Sequence, residues 1–405
     1  MLDIITKEVR CHMLGARWLI FVLANVLLFG FACWIFTYGY DRQMRSYDQI
    51  RNLEQERLVR SREADFLYAH FFQVMRPPDK LGFVGPEDRS LPEIIMFSVN
   101  DPSLLRYSYG MNYNFALPRF LHFDWSFAVL FVLSFCSIML GYDSITGERE
   151  SGTLKLVLSN AISRWRVVTG KAAANAALLL ISLLLSAGLG TLLVSTGIDG
   201  ILTGANLLNL AAWCMGAWLV LLVYLSISIL GSCVCRSSNV SLYLSLCFWV
   251  LFAIAIPNGA RLAAQYANPI RTDIETHLIQ VSRAPFTGRS AQIYDDQINT
   301  RFKQARLGMY LSRFSPNGIA NELFVEILGN GFGGFESWVK DVARIAASVA
   351  GENVKSLKAP PMTLARKARG AVATGTVLFD VSMEILIALI FLLSGIAWLN
   401  RSAIA

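Results

Sequence analysis

The chain has 405 residues, of which 54% are hydrophobic and only 16% charged. That charged fraction lies well below the quarter or so usual in soluble domains, so composition argues against an ordinary soluble protein and for a multi-pass membrane protein. The net charge of +7 is not a nucleic-acid signal here, because cytoplasmic loops give membrane proteins the same basic excess and no basic motif of a known reader fold is present.

In chain order, residues 1–17 form a head in which Leu2, Ile5, Val9 and Met13 recur every three or four positions, with Asp3, Lys7 and Arg10 elsewhere round the helix. This suits an amphipathic helix lying in the inner membrane interface, the alternative being a plain extension of the first span. A helix needs about 20 apolar residues to cross about 30 Å of hydrocarbon. Six segments qualify: 18–38, 123–142, 172–195, 207–231, 241–257 and 377–399. The first is too long for a signal-peptide core and is expected to stay as an uncleaved helix.

Lys and Arg in short loops set the orientation. Lys7, Arg10 and Arg17 in the head, five cations between Asp143 and Lys171, Arg236 in the turn 232–240 and Arg401 in the tail 400–405 all fall on one side. The short loop 196–206 on the other side has neither residue type. Both termini are therefore expected in the cytoplasm. Residues 39–122 and 258–376 become two long extracytoplasmic insertions. The first continues the helix of the first span outward along an apolar stripe of Met44, Tyr47, Leu53, Leu67 and Phe71, until prolines 77, 78, 86 and 92 end it. The second is helical by pattern, with breaks at "SPNG", "GNGFGG" and "APP". With no strand alternation evident, both insertions are expected to be helical. The fold class is an all-α integral membrane protein of six transmembrane helices with helical extracytoplasmic insertions.

Chemistry-bearing motifs are few. "GNGFGG" meets G-x-G-x-x-G through Gly329, Gly331 and Gly334, but no strand precedes it and it lies outside the cytoplasm, so it reads as a turn between helices. The one Gly-Lys pair, Gly170 and Lys171, lacks the rest of a phosphate-binding loop, so any driving nucleotide is expected on another chain, with none bound here. The seven cysteines, Cys11, Cys33, Cys136, Cys214, Cys233, Cys235 and Cys247, lie in or beside apolar segments and form neither disulfide nor metal spacing. His12, His70, His122 and His277 are scattered without ligand spacing. In the last span Asp380 and Glu384 stand four apart on one helical face, as a candidate translocation path or as a structural pair, since carboxylates at membrane depth must face the bundle, water or a cation.

The segment between the second and third spans reads "YDSITGERESGTLKLVLSNAISRWRVVTGK". It resembles the signature of ABC-2-type transporter permeases, in the branch that includes the nitrous-oxide-reductase maturation permease. Asp143, Glu148, Arg149, Glu150, Gly152, Thr153, Leu154, Leu158, Ser159, Arg164, Gly170 and Lys171 fill the matching positions. The head, the six spans and "RFSPNGIANELFVEILGNG" are similar to that group too, whereas its shorter members lack the two large insertions. The resemblance implies the ABC-2, type V exporter-like permease fold. It also implies that Asp143, Glu148, Arg149, Glu150, Gly152, Thr153 and Arg164 form a segment coupling the bundle to a separate ABC ATPase subunit. Exposed Glu148, Arg149 and Glu150 would make the charged contacts, and "LKLVL" would seat the segment on the span ends. Two ATPase copies using ATP and Mg, a homodimer of the permease, surrounding lipid and a bacterial inner-membrane location follow from the same resemblance. The function expected is export or extrusion of a substrate. The long outward helix keeps open a second reading, a mechanotransmitter that acts on an extracytoplasmic partner protein. An integral-membrane enzyme is disfavoured, because no activated nucleophile or metal cluster is visible.

Overall fold

The computed structural model describes residues 2–13, 15–63, 71–85, 94–98, 105–108, 123–159, 163–269, 289–351 and 375–401. His70, His122, His277, the "APP" break and prolines 86 and 92 lie outside the described residues, as does the side chain of His12.

Among the described residues six helices are long and apolar enough to cross a membrane, as expected. The head is the separate helix α1 (Leu2–Met13), and the first span belongs to α2 (Ala16–Glu63), which runs unbroken for 48 residues, about 72 Å. The second span is α3 (Trp125–Phe127), a π-helical turn π1 (Ala128–Leu133) and α4 (Ser134–Gly141). The charged segment folds as two short helices, α5 (Thr146–Glu150) and α6 (Thr153–Ser159). The third and fourth spans are α7 (Arg164–Ser195) and α8 (Gly204–Val234). The fifth is α9 (Ser238–Trp249), a second π turn π2 (Val250–Ala255) and α10 (Ile256–Ala267). Then come α11 (Arg289–Ser312), α12 (Pro316–Ile327), α13 (Phe332–Gly351) and the sixth span α14 (Gly375–Arg401).

The fourth span is the axis of the bundle. Trp213, Val220, Tyr224 and Ile227 of α8 are all buried, because α4, α7, α12 and α14 pack round it. Close approach to α4 depends on Gly141, where a Cβ would come within 2.0 Å of Ser228 Oγ. Polar side chains bond across the helices where lipid offers no partner. Asn25 Nδ2 donates to Ser182 Oγ (2.7 Å), Asn175 Nδ2 to Leu140 O (3.1 Å) and Trp125 Nε1 to Phe29 O (3.1 Å).

The insertions differ from the helical expectation in two ways. In the first, β1 (Phe71–Met75), β2 (Ile94–Ser98) and β3 (Leu105–Ser108) form an antiparallel sheet, with Phe72 opposite Phe97 and Ile95 opposite Tyr107. Its face of Phe72, Val74, Ile95 and Phe97 packs against Phe335, Trp338 and Val342 of α13 in a second core. Strands of four or five residues give too short a period-2 signal to read, and "IIMFS" is nearly a continuous apolar run. In the second insertion, α12 is not peripheral. Ile319, Ala320, Leu323 and Phe324 are buried, and the last three join the main bundle core beside α8 and α14.

Loop residues 81–85 cover the Trp125 end of the second span. Trp125 N and Ser126 N donate to Phe83 O (3.0 Å) and Val84 O (2.9 Å). The glycine-rich break after α12 is a turn, as expected, with Gly329 at φ +69°.

Candidate functional site

The charged segment is fixed to the bundle by bonds at helix ends, where unsatisfied backbone groups need partners. Ser232 Oγ, near the end of α8, accepts from Ile145 N (2.8 Å) and Thr146 N (3.0 Å) at the start of α5. The Asp143 carbonyl accepts from Gly147 N at 2.8 Å and closes the first turn, while its side chain is half-buried. Arg149 reaches back to the opposite kind of end. Its guanidinium donates to Cys235 O (2.6 Å) and Cys233 O (3.4 Å), where the carbonyls of α8 concentrate negative potential. Glu150 accepts from Ser238 N and Ser238 Oγ, each at 2.8 Å, at the start of α9. Arg164 donates to Leu399 O (2.8 Å) and Asn400 O (3.3 Å), tying the start of α7 to the end of α14.

Glu148 belongs to a buried ionic junction. Lys171 Nζ lies 2.9 Å from Glu148 Oε1 and 3.0 Å from Glu8 Oε1, and Lys171 is only 7% exposed. One ammonium thus joins the head helix α1, the helix α5 and the span α7. Two carboxylates around one lysine at a membrane boundary share its charge, which offsets part of the cost of taking each out of water.

These contacts correct the expectation that Glu148 and Arg149 are exposed for an outside partner. Both are turned inward, because buried helix termini and a buried lysine offer stronger partners than water does. The exposed surface is the turn beyond them: Ser151, Gly152, Thr153, Lys155 and Leu156, with Glu150 at its edge. Gly152 has φ +72°, a left-handed conformation suited to glycine, and so lets α6 fold back from α5. Thr153 Oγ1 steadies the turn, 2.8 Å from Ser151 Oγ and 3.3 Å from Glu148 O. Beneath it Leu154 is 1% exposed and seats the segment as "LKLVL" predicted, whereas Leu156 stands 68% exposed at the tip.

Asp380 and Glu384 form a second and separate group. Leu399 follows Asp380 by nineteen helical steps, roughly 28 Å. Both carboxylates are fully buried, as their shared face predicted. Arg313 pairs with Asp380 Oδ2 at 3.1 Å. Close by, Tyr224 Oη donates to Asn317 Oδ1 (2.8 Å), and Asn317 Nδ2 donates to Leu130 O in π1 (2.9 Å).

Glu8, Ser232, Ser238, Arg313, Asn317 and Tyr224 were not singled out from the sequence as site residues. In the sequence Lys171 counts as an orienting cation and a motif position, without an assigned partner. A lysine at the mouth of an apolar span carries no signal of which carboxylates it will meet.

Two comparisons bear on what this arrangement serves. Residues 2–354 match the family described as ABC-2 family transporter protein. Over 124 residues the chain is 25% identical to the protein named probable ABC transporter permease protein NosY, from Stutzerimonas stutzeri. That similarity covers 31% of this chain and 45% of the relative, so the chain spans under half the length of the relative it matches.

Proposed function

Since the chain belongs to the ABC-2 family of transporter proteins, we propose that it is the permease subunit of an ABC transporter, coupling nucleotide use by a separate ATPase chain to export or extrusion of a substrate. The observation that carries this reading is the combination of an exposed turn with a rooted base. Residues 151–156 present hydroxyls, one ammonium and an apolar tip, while the residues beneath are bonded to α1, α7, α8, α9 and α14. A partner that grips the turn pulls on the ends of four spans and the head helix together. Coupling of this kind needs an element with two discrete arrangements that both sites bias.

In this reading Asp143, Glu148, Arg149, Glu150 and Arg164 hold the base, and Gly152, Thr153 and Leu156 make the contact. ATP and Mg belong to the partner, present in two copies on a homodimer of the permease, for which two-fold pairing is the commonest closed arrangement. The membrane is the bacterial inner membrane, with the contact turn and both termini in the cytoplasm and lipid round the spans. Asp380 and Glu384 lie on the translocation path.

Leu156→Glu tests the assignment. The substitution is on an exposed side chain, so the thermal stability of the isolated chain is expected to change by less than about 0.5 kcal/mol. In a reconstituted complex, stimulation of ATPase activity by the permease is expected to fall at least tenfold, by about 1.4 kcal/mol of lost docking free energy. Full stimulation by the variant would remove the contact role from this turn.

A second reading is favoured by α2, which carries the first span unbroken to the sheet, where Glu54 Oε2 accepts from Gln73 N at 3.4 Å. Here the complex acts as a mechanotransmitter on an extracytoplasmic partner protein, and nothing crosses. Gln49→Pro interrupts α2 outside the bundle at a local cost of about 3 kcal/mol. A transporter is expected to keep substrate movement in that variant, and a transmitter to keep ATP hydrolysis but lose its external output.

A further inference from the structure

Two carboxylates and one guanidinium share the buried group at the outer part of α14, which leaves one negative charge without a counterpart. Asp380 and Glu384 are each 0% exposed, and of the two carboxylates Arg313 pairs with Asp380, at Oδ2. Among the described residues, Asp380 Oδ1 and both oxygens of Glu384 have no hydrogen-bond partner. Two neighbouring side-chain donors are committed elsewhere, the Tyr224 hydroxyl to Asn317 and the Asn317 amide to the Leu130 carbonyl of π1, while Arg313 Nε is itself buried without a hydrogen-bond partner among the described residues.

Among the described residues, the packing on α14 from α7, α8 and α12 supplies no further cation paired with these carboxylates, and α9 and π2 meet α14 through Phe248 and Phe252. α8 contributes the neutral Tyr224, and α12 contributes Glu322 and Glu326, the charge of Glu326 acting on Asp380. α7 contributes Lys171, which is held by Glu8 and Glu148 at the other end of the bundle. A bare carboxylate away from water is costly unless it gains a proton or a paired cation.

We propose that Asp380 and Glu384 form a proton-binding site of the sixth span, in which Glu384 carries the proton and donates it to Asp380 Oδ1 while Arg313 holds Asp380 Oδ2. One proton removes the excess charge of the pair and joins two of the three unpartnered oxygens in a single carboxyl–carboxylate bond, and the remaining Glu384 oxygen becomes a neutral carbonyl, far less costly to bury than a carboxylate. Their spacing of four residues on one helix face brings the side chains into reach of each other, and two carboxylates at one site do not both ionise readily. Loss of the proton leaves a charge between α14, α8 and α12, so the protonated state is the one compatible with the closed packing described above. The proposal deepens the reading of these two residues as part of a path. It needs only that the bundle spans a membrane, so its test is independent of ATPase docking.

Infrared difference spectroscopy of the full chain in lipid nanodiscs reads the proton directly. A protonated-carboxyl band is expected at neutral pH in the wild type, shifted by isotopically labelled glutamate and absent from Glu384→Gln. In Asp380→Asn the band is expected to persist at higher frequency, because the charged acceptor is gone. Labelled wild type keeps the test decisive even if Glu384→Gln does not fold. Absence of any glutamate-derived carboxyl band would overturn the proposal. So would thermal stabilisation of the wild type, but not of Glu384→Gln, by sodium, potassium or an alkylammonium salt at constant ionic strength, since the occupant would then be a larger cation.

Discussion

Replacing Lys171 with methionine is expected to lower the stability of the chain by about 3–5 kcal/mol, because it strands two largely buried carboxylates that face one another across the vacated ammonium. Glu8 and Glu148 side chains are only 17% and 20% exposed, so water screens little of their repulsion. The measurement is Tm of the purified protein in nanodiscs. Adding Glu8→Gln and Glu148→Gln to the methionine variant is expected to recover most of the loss, since a neutral buried cluster no longer carries unpaired charge. A methionine variant as stable as the wild type would falsify the view that this junction fastens the head to the bundle. The single variant is also expected to lose permease-stimulated ATPase activity even where it folds, because the tie that Lys171 makes between α1 and α5 is then lost.

Gly318→Ala has the second large expected effect. A Cβ there would lie 1.9 Å from the carbonyl oxygen of Ser312 and 2.4 Å from its carbon, and neither backbone atom can rotate away. Either α12 withdraws from the bundle or the end of α11 is displaced. The first route breaks the bonds of Asn317 to Tyr224 and to Leu130, and the second displaces the segment next to Arg313, which pairs with Asp380. The cost is expected at or above the top of the range of about 1–3 kcal/mol usual for overpacking. Gly259→Ala is the control, because a Cβ at that helical position meets nothing within 4 Å and alanine is the better helix former. If the two variants melt together, the seating of α12 is not as close as the structure shows.

Much of the architecture was legible from the residues because lipid imposes a strong rule on them. Six apolar runs, the continuation of the first span and the buried face of Asp380 and Glu384 all follow from the need to satisfy backbone and carboxyl groups away from water. The head helix α1, the end of α14 and the charged segment do share one end of the bundle, as Arg164 bonding to Leu399 and Lys171 bonding to Glu8 require. Less legible were features decided by tertiary partners. Three strands of four or five residues gain their identity from packing on Phe335 and Trp338, far away in sequence. The inward turn of Glu148 and Arg149 depends on which helix ends and which lysine come to meet them. Charge alone suggests solvent for such residues, and only the folded chain shows that the neighbouring Thr153 and Leu156 hold the exposed positions.

The unbroken course of α2 has a mechanical corollary. A rod of about 72 Å pivoting near its junction with α1 amplifies motion: a tilt of about 5° would carry the far end through roughly 6 Å. Displacements too small to reorganise the bundle at the foot would therefore arrive at the sheet as shifts larger than the spacing between paired strands. Were α2 to tilt in this way, the sheet at its far end would move as a pointer does, its excursion set by the leverage of a single helix.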